Sequence, residues 1–404
     1  MSEKILAINA GSSGHKSCLY ELSSSDSVRP PAPLWQAQID LQQTPPLLIV
    51  TVADNPVEQN LSEGDRAGQI AQMLKTIYEG ETAVVSDVKE ISAVGHRVVH
   101  GGQAYQQSIW IDDEVKSAIT DLIPLAPAHN PIALEGIELI EKLWKETPQY
   151  AVFDTAFHSQ MPEAAALYPV PQDWIQQGIR RYGFHGISHE YVSNRAAELL
   201  DRPLKGLRLV TCHLGNGCSL AAVKNGRSVD TTMGFTPLDG LMMGTRSGSV
   251  DPGILIYLMR EKGYDYQRLD ELLNKQSGLK GVSAVSGDMR KLTEAIAQGN
   301  SQAQLAFEIY IHRLRAGIAA MVASLGGLDV LVFTGGAGSH TGVLRDRACE
   351  GLKFLGVEIS RQKNKEVEEG EDKDISTAQS DVSVLVIYTQ EEWQIVREYQ
   401  RIKQ

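Results

Sequence analysis

Short apolar runs and longer amphipathic stretches alternate along this chain. Three runs have the length and composition of buried strands, namely Ala83–Val85, Leu207–Val210 and Val330–Phe333. The stretch Ala303–Leu325 instead repeats its apolar residues with the period of an α-helix. Strands that alternate with helices are typical of an α/β fold, so the pattern predicts that class.

Two segments interrupt this alternation and are predicted to be loops. Ser23–Pro46 is rich in proline and serine, which favour turns. Glu366–Asp374 is an acidic run whose like charges repel one another and favour a solvated turn. Neither segment is predicted to carry the chemistry.

One pattern occurs twice along the chain. Lys4–Tyr20 reads as an apolar strand, an Asn-Ala-Gly-Ser-Ser turn and a second strand, and Leu207–Val223 repeats this order around His-Leu-Gly-Asn-Gly. Glycine-rich turns let backbone N–H groups approach a phosphate because no Cβ stands in the way. Two such turns facing each other would form a cleft for a polyphosphate, although most Asn-Gly hairpins are only tight turns. The chain has neither a GxxxxGK[ST] segment nor a strand-linked GxGxxG, so this site would be neither of the Walker nor of the Rossmann type.

Composition and charge narrow the possible functions. The chain has 404 residues, more than one hydrophobic core usually holds, so we expect two domains. Apolar residues make up 42% and charged residues 22%, which suits a folded globular protein. The net charge of −12 argues against sequence-independent binding to nucleic acid or to an anionic membrane. An anionic small-molecule substrate would therefore need arginines placed locally.

The cysteines and the first residues bear on the compartment. Four cysteines are scattered without a CxxC pair, at Cys18, Cys212, Cys218 and Cys349. This is typical of a reducing compartment, and of neither a disulfide framework nor a zinc ribbon. The apolar run in the first residues is too short for a signal peptide, and no stretch approaches the ~20 apolar residues that span a bilayer. We therefore expect a soluble, cytoplasmic protein.

Two arginines and an aspartate stand where chemistry is expected. Arg97 ends an apolar run just before a Gly pair, and Arg246 lies in the Gly-rich loop Thr245–Gly248. A guanidinium is always charged and forks onto carboxylate or phosphate oxygens, so these side chains could flank a transferring group; a surface salt bridge is the plainer interpretation of each. Asp154 follows an apolar run, where open α/β sheets usually keep their ligands, but it also fits a helix N-cap.

The segment Arg181–His189 contains two histidines four residues apart, His185 and His189. Such a pair can bind a metal, and a metal hydrolase built on it with His213 is one possible interpretation. No third ligand is evident near the pair, so the residues themselves do not favour zinc.

Ten segments carry a specific resemblance over nearly the whole chain. They are INAGSS at Ile8–Ser13, GHRVVHGG at Gly95–Gly102, LAPAHNP at Leu125–Pro131, VFDTAFH at Val152–His158, RYGFHGISH at Arg181–His189, HLGNG at His213–Gly217, MGTRSG at Met243–Gly248, DMR at Asp288–Arg290, FTGGAG at Phe333–Gly338 and TQEE at Thr389–Glu392. By their order and spacing, the chain resembles the acetate and propionate kinases, members of the actin-like sugar-kinase superfamily.

The resemblance implies a fold and its division. We expect an α/β protein with two actin-like (ribonuclease H-like) domains and a catalytic cleft between them. The first domain would comprise residues 1–150 plus 385–404, because the tail returns to complete the metal site, and the second residues 151–384. The resemblance also implies clamshell closure and a homodimer.

The resemblance further implies an activity: reversible phosphorylation of acetate by ATP, giving acetyl phosphate and ADP by direct in-line transfer. Arg97 and Arg246 would flank the carboxylate and the phosphoryl group, and His185 would support the equatorial oxygens in the transition state. Asp154 would sit beside the reacting carboxylate as a polar or acid/base partner. Charge stabilisation should dominate such a reaction.

Binding residues follow from the same resemblance. Asn9 and Glu391 would bind Mg²⁺, or Mn²⁺ in its place, directly or through water. Lys16 and Ser12 would reach the phosphates. The residues implied for ATP or ADP are His213, Leu214, Gly215, Asn216, Gly217, Asp288, Met289, Arg290, Gly336, Ala337, Gly338, Ser339 and His340. Those implied for the carboxylic acid are Arg97, Val99, Ala128, His129, Phe184 and Pro237.

Two departures from the family pattern concern the substrates. Ala128 stands where leucine is common, which removes about three carbons from the acyl pocket and predicts comparable activity on acetate and propionate. Gly336–His340 reads GAGSH, where the family prefers isoleucine at the second position and Glu-Asn at the end. This second departure bears on the choice of phosphoryl donor.

Three alternatives stay open. The first is a propionate or butyrate kinase, or a relative that uses another phosphoryl donor. The second is a noncatalytic nucleotide-binding regulator, against which the chain retains Asn9, Arg97, Asp154, His185, Arg246 and Glu391. The third is the metal hydrolase on the three histidines.

Overall fold

The structure, a computed structural model, describes residues 2–11, 14–22, 28–41, 43, 45–62 and 64–403. It divides into two compact units. The first is Met1–Phe157 together with Gln390–Gln404, and the second is His158–Thr389. The division accords with a chain too long for one hydrophobic core.

The first unit is built on one sheet with three helices from the same part of the chain. Its strands are β1 (Glu3–Ala10), β2 (Gly14–Leu22), β3 (Trp35–Asp40), β4 (Leu47–Val52), β5 (Asn55–Asn60), β6 (Ile91–Val98), β7 (Ile109–Trp110) and β8 (Gln149–Phe153). Its helices are α1 (Arg66–Lys75), α2 (Asp113–Asp121) and α3 (Asn130–Leu143), with 3₁₀ turns at Val88–Glu90, Ile123–Leu125 and Ala156–His158.

The strand order of this sheet is β5-β4-β3-β2-β1-β6-β8-β7. Strands β1 and β2 form an antiparallel hairpin, whereas β6 and β8 run parallel to β1. The centre of β1 is buried because Ile5, Leu6 and Ala7 are each 0% exposed, which only a sheet covered on both faces allows. Because β1, β6 and β8 are parallel, their carboxyl ends lie at the same edge of the sheet, beside the turn that joins β1 to β2.

The second unit has one sheet and eleven helices among its described residues. Its strands are β9 (Arg208–Leu214), β10 (Cys218–Lys224), β11 (Arg227–Thr231), β12 (Val330–Thr334), β13 (Lys373–Asp374) and β14 (Ser383–Val386). Its helices are α4 (Glu163–Ala166), α5 (Gln172–Gln176), α6 (Gly186–Leu199), α7 (Pro252–Lys262), α8 (Tyr266–Lys275), α9 (Gly278–Ser283), α10 (Met289–Ala297), α11 (Ser301–Leu325), α12 (Gly335–His340), α13 (Gly342–Glu350) and α14 (Arg361–Lys365), with a 3₁₀ turn at Lys353–Leu355.

The second sheet repeats the plan of the first. Its order is β11-β10-β9-β12-β14-β13, with β9 and β10 as an antiparallel hairpin and β12 and β14 parallel to β9. Each sheet thus joins a hairpin to two parallel strands, and each ends in a short antiparallel strand. The two hairpins coincide with the pattern that occurs twice in the sequence, so that prediction is confirmed.

The chain returns to the first unit in helix α15 (Glu391–Lys403). This helix packs on β1, β2 and β6. The Tyr150 hydroxyl donates to the Ile395 carbonyl oxygen at 3.0 Å, and a Cβ on Gly95 would lie 2.6 Å from Ile395. Gly95 therefore lets the helix lie close against β6.

Some sequence-based predictions of local structure need correction. Within the predicted loop Ser23–Pro46, residues 35–40 form β3, whose alternate residues Trp35, Ala37 and Ile39 are buried. Conversely, Ala83–Val85 is not a strand, because its backbone returns to Ile77 through Val84 and Val85 instead of entering the sheet. Three apolar residues are too few to specify a strand when the turn after α1 already offers a backbone partner.

The predicted domain boundaries also shift. A boundary at residue 150 would cut β8, which pairs with β6 in the first sheet, and a boundary at 385 would cut β14 in the second. The two units instead separate after Phe157 and before Gln390. None of the helices among the described residues combines the length and apolar character of a membrane span.

Candidate active site

Arg97 and Asp154 meet at the carboxyl ends of two parallel strands. Arg97 is the penultimate residue of β6, and Asp154 directly follows β8. The Asp154 backbone N–H donates to the Val98 carbonyl at 2.9 Å, which fixes the register of the two ends. Arg97 then donates from Nε and Nη2 to Asp154 Oδ2 at 3.1 and 2.6 Å. The Asp154 side chain is only 2% exposed, so this is a buried ion pair.

Asn9 extends the pair into a longer polar network. Its Oδ1 accepts from Arg97 Nη1 at 3.1 Å. Its Nδ2 donates to Glu391 Oε2 at 2.9 Å and to Glu392 Oε1 at 3.0 Å. Lys16, which lies opposite Asn9 in the hairpin register, donates to Glu392 Oε2 at 2.8 Å. The predicted residues Asn9, Lys16, Arg97 and Glu391 thus come together, with Glu392 as a member that the sequence analysis missed.

The network contains two cations and three carboxylates, which leaves one surplus negative charge. Burial lowers the pKa of Arg97, but the neighbouring carboxylates, Asp154 foremost, outweigh burial and raise it. The charge of Glu392 likewise raises the pKa of Lys16 against the effect of burial. Burial raises the pKa of Glu392, but the Lys16 ammonium outweighs this and holds it below its ordinary value. Both cations therefore stay charged, and the surplus favours a further cation.

The donor set is compatible with magnesium. Mg²⁺ prefers oxygen ligands and usually keeps several waters, binding through one or two carboxylates and substrate phosphates. Glu391 is partly exposed and uses Oε2 for Asn9, which leaves Oε1 for a metal or its water. Asn9 Oδ1 already accepts from Arg97, so Asn9 suits contact through a water better than direct ligation. Lys16 is held by Glu392, so any contact of Lys16 with phosphate would have to share this ion pair.

In the second unit, Arg246 is a cation without a carboxylate partner among the described residues. Its Nη1 donates to the Pro237 carbonyl at 3.3 Å and contacts Met243 Sδ at 3.9 Å. Burial lowers the pKa of Arg246, since no nearby carboxylate compensates. A half-buried guanidinium in this state attracts an anion.

His185 lies beside this cation. A Cβ on Gly217 would lie 3.2 Å from His185 Nε2 and 3.4 Å from Arg246 Nη1, so both side chains approach one point of the backbone. His185 has φ of 58°, a left-handed conformation that is costly for a residue with a side chain. Its ring stacks on that of His213, with centroids 4.2 Å apart. Two of the predicted catalytic residues, His185 and Arg246, are therefore neighbours.

The three histidines of the metal-hydrolase alternative do not form a ligand set. His189 directs Nδ1 to Thr211 Oγ1 at 2.7 Å and Nε2 to Ser219 Oγ at 2.8 Å, so both its nitrogens are engaged by hydroxyls. His213 Nδ1 is bonded to Ser188 Oγ at 2.8 Å. Among the described residues, no group of three or more His, Cys, Asp or Glu side chains is arranged to hold a metal. The histidine spacing in the sequence reflects packing of α6 on the sheet.

A cavity of about 560 Å³ lies in the second unit and is large enough for a nucleoside. Of the residues predicted to bind nucleotide, it is lined by Gly215, Asn216, Asp288, Met289, Arg290, Gly336, Ala337 and His340. The cavity also contacts residues that the prediction did not include, namely Leu279, Gly287, Tyr310, Thr341 and Glu369. The segments HLGNG, DMR and GGAGSH therefore converge on one concave site.

The remaining predicted nucleotide residues lie behind or beside this cavity. Leu214 and Ser339 are buried, at 0% and 3% exposed. The carbonyl oxygens of Gly338 and Ser339 each accept from Arg345 Nη1 at 2.7 Å, so this end of α12 is directed into the protein. His213 and Gly217 do not line the cavity and lie instead beside His185. These five residues therefore do not line the cavity, and their contact with nucleotide stays a prediction.

Gly335 explains how two of the segments come so close. Its φ is 75°, and a Cβ there would lie 2.9 Å from both the backbone nitrogen and the oxygen of Leu214. Any side chain would clash with the end of β9 and strain the backbone. The double glycine after β12 therefore brings α12 against the HLGNG turn.

The residues predicted for the carboxylic acid are divided between the units. Val99, Ala128 and His129 belong to the first unit, and Val99 is buried whereas Ala128 is exposed there. Phe184 and Pro237 belong to the second, where Phe184 is 1% exposed. Ser12, predicted to contact phosphate, lies outside the described residues.

Of two contributions that the sequence analysis missed, one could have been found in the sequence and the other could not. Glu392 is the second glutamate of TQEE, and a pair of adjacent carboxylates next to a predicted metal ligand is a usable signal. Glu369 belongs to the acidic run that was predicted to be a solvated turn without chemistry, yet it lines the cavity. Its charge pattern gave no indication of that position.

Comparisons with known proteins agree over the whole chain. The model of the acetokinase family matches residues 4–397. The acetate kinase of Nostoc punctiforme is 56% identical over 98% of both chains. The crystal structure of Porphyromonas gingivalis acetate kinase superposes with a TM-score of 0.89 at 40% identity and covers 100% of both chains. A propionate kinase from Francisella tularensis gives 0.88 at 37% identity over 98% of each chain.

These similarities confirm the predicted α/β class with two actin-like units. The match to the family model extends across both units and includes the network of Arg97 and Asp154 as well as the cavity. The chain therefore belongs to the acetokinase family.

Proposed function

We propose that this chain is an acetate kinase, a phosphotransferase that moves the γ-phosphoryl group of ATP onto the carboxylate of acetate. The observation that carries the proposal is the uncompensated guanidinium of Arg246 next to His185, in the unit that also holds a nucleoside-sized cavity. Relatives called acetate kinase, with 52–57% identity over 98% of this chain, support the same substrate.

Phosphoryl transfer from ATP to acetate requires little covalent chemistry from the protein. An acetate oxygen attacks the γ-phosphorus, the bond from that phosphorus to the β-bridging oxygen breaks, and ADP leaves with the electron pair. Acetate is already a carboxylate, so no proton has to be removed and no general base is needed. Positioning and charge stabilisation then supply the rate, which suits a site made mainly of arginines and a histidine.

We assign the roles of Arg97 and Asp154 from the number of Arg97 N–H donors that remain unused. A guanidinium has five N–H groups, and Arg97 uses three of them on Asp154 and Asn9. The remaining two suit one carboxylate of the substrate. Asp154 then acts as the partner that orients Arg97 and balances its charge, instead of as an acid or base. Arg246 and His185 would contact the phosphoryl oxygens on the side of the nucleotide.

The proposal includes a divalent metal, Mg²⁺ or Mn²⁺, at Glu391 and Asn9. When bound, such an ion neutralises phosphate charge during the transfer. Glu391 would hold it through Oε1, with Asn9 orienting a metal-bound water. Glu392 and Lys16 would keep the carboxylate pair in place, which the partly buried Lys16–Glu392 bond supports.

Propionate is the second candidate substrate. It is favoured by alanine at Ala128 and by the similarity to a propionate kinase at 37% identity. We propose comparable efficiency on both acids. A kcat/KM for propionate below a hundredth of that for acetate would contradict this.

Two further features belong to the proposal. A cytoplasmic location is supported by four buried cysteines that are free thiols, because a reducing compartment keeps thiols reduced. A homodimer is supported by α7, which has no buried residue and exposes Ile254, Ile256, Tyr257 and Met259 by 49 to 61%. Ile256→Asp should then give a monomer in light scattering; an unchanged mass would place the contact elsewhere.

The deciding experiment combines the protein with magnesium, ATP and hydroxylamine and measures acyl hydroxamate from acetate, propionate and butyrate. Arg246→Ala should lower kcat by about 10²–10³, the usual effect of removing one charge-stabilising donor. Arg268→Ala, which removes an exposed arginine of the same unit, should leave the rate unchanged. Absence of product with every acid, despite ATP binding, would favour the noncatalytic regulator.

A further inference from the structure

A chain of buried hydrogen bonds leads from His185 into the second sheet. His185 Nδ1 lies 2.8 Å from Ser219 Oγ, which lies 2.8 Å from His189 Nε2. His189 Nδ1 lies 2.7 Å from Thr211 Oγ1, and the Thr211 hydroxyl donates to the Ala221 carbonyl at 3.5 Å. Ser219, His189 and Thr211 are each 0% exposed, so water does not compete for these bonds.

The sheet places these residues on one face. In the antiparallel register Ser219 lies opposite His213, and Ala221 lies opposite Thr211. Residues two apart on a strand share a face, so both hydroxyls point to the side on which the rings stack. Helix α6 packs on β9 and supplies His189 from its first turn.

The direction of the bonds follows from the far end of the chain. We assign the Thr211 hydroxyl proton to the Ala221 carbonyl, so that Thr211 accepts from His189 and the His189 proton lies on Nδ1. Burial holds the pKa of His189 well below its ordinary value, so the ring is neutral and its Nε2 accepts the Ser219 proton. Ser219 has one hydroxyl proton and thus accepts from His185 Nδ1.

We propose that Ser219, His189 and Thr211 are positioning residues that hold His185 with Nδ1 as a donor and direct its Nε2 to the transferring phosphoryl group. The inference rests on the proposed function for the role of His185. A second proton on that ring can only enter at Nε2, where it makes a charged donor beside Gly217 and Arg246. We call Ser219, His189 and Thr211 the relay. The relay stabilises this cation because Ser219 accepts from the N–H on the other ring nitrogen, Nδ1 of His185.

Other charged or titratable groups lie next to His185 and to the three residues behind it. Arg246 faces its ε edge, and His213 stacks on its ring at 4.2 Å. Behind the relay, the ring of His158 meets that of His189 edge-on at 5.7 Å. Cys218, next to Ser219 on β10, contacts Tyr310 at 3.3 Å on the opposite face of the strand. Of these groups, the Arg246 guanidinium repels a protonated His185 directly. The relay must offset this repulsion to keep the second proton on His185.

The first test is the pH dependence of kcat for Ser219→Ala with acetate and ATP. Loss of the Ser219 hydroxyl, which accepts from His185, should lower kcat about tenfold and leave both KM values within about twofold. The alkaline limb of the plot of kcat against pH should move to a pH roughly one unit lower, because the cationic form of His185 loses this support. Ser219→Thr restores a hydroxyl and should restore the limb. An alkaline limb that stays in place or moves up in Ser219→Ala would overturn the proposal.

A matched control separates this effect from a general packing defect. Ser228 is also buried and bonds a histidine, His158 Nδ1, at 2.7 Å, but it lies outside the relay. Ser228→Ala should lose similar stability and keep the wild-type alkaline limb. Thr211→Val preserves volume, folds more safely than a truncation, and should shift the limb in the same direction as Ser219→Ala.

The second test needs no turnover. In protein labelled with ¹⁵N-histidine, the neutral ring of His185, identified by its loss in His185→Gln, should carry its proton on Nδ1. A proton on Nε2 would overturn the relay. Wild-type protein without acetate-dependent turnover would instead contradict the proposed function, while this spectrum would still decide the relay.

Discussion

Asp154→Asn should destabilise the first unit by about 3 kcal/mol. The change keeps the shape of the side chain but removes the charge opposite Arg97, whose side chain is only 17% exposed. Removing one partner of a buried pair usually costs about 3–5 kcal/mol because the other charge is left uncompensated. We expect the lower end, since an amide oxygen can still accept and Asn9 still accepts from Nη1.

Tryptophan fluorescence during urea unfolding measures this loss of stability mainly in the first unit. Trp35, Trp110, Trp144 and Trp393 belong to the first unit, and only Trp174 belongs to the second. Glu141→Gln is the control, because its ion pair with Lys116 is far more exposed and should contribute about 1 kcal/mol or less. If Asp154→Asn costs no more than this control, the pair does not hold the strand ends together. We also expect kcat/KM for acetate to fall at least tenfold, since Arg97 loses its fixed orientation.

Three further outcomes are expected. Glu391→Gln should raise the Mg²⁺ concentration for half-maximal rate about tenfold and restore most of the rate at saturating metal; an unchanged metal requirement would remove Glu391 from the site. Glu392→Gln should lower stability at neutral pH by an amount that shrinks below pH 4.5, because the pKa of Glu392 is lowered in the folded protein and its contribution is lost as that group protonates; a pH-independent difference would argue against the Lys16 pair. Ala128→Leu should lower the propionate-to-acetate ratio of kcat/KM about fourfold, the worth of roughly one methylene, and an unchanged ratio would place Ala128 outside the acyl pocket.

Much of the fold follows from patterns in the sequence. Both hairpins were predicted because an apolar strand, a glycine turn and a second strand leave few other structures. Strand β3 was missed because Ser23–Pro46 was treated as one segment by its composition, although Trp35–Asp40 alternates buried residues with polar residues that are partly or fully exposed. The strand predicted at Ala83–Val85 is wrong because strand identity depends on a partner, which a run of three residues does not reveal.

The candidate site was predictable in its charged members and less so in their supports. Arg97, Asp154 and Asn9 stand at strand ends, where sequence and fold class together predict ligands. Ser219 and Thr211 look like ordinary polar strand residues, and only the register of β9 with β10 brings them to His189. The same limit applies to Arg345, whose contacts with Gly338 and Ser339 depend on how α12 ends.

Helix α15 also bears on how the protein is made. Its residues Glu391 and Glu392 complete the network on β1, yet a ribosome synthesises them only after the whole of His158–Thr389. The second unit is continuous and can fold as it emerges, whereas the strands of the first must wait for a helix encoded far downstream. Until then the face of β1, β2 and β6 that receives α15 is uncovered apolar surface, and Asn9 lacks both of its carboxylates. A nascent chain therefore cannot complete the network of Asn9 and Arg97 before both units have been translated, which ties the assembly of this network to the synthesis of α15.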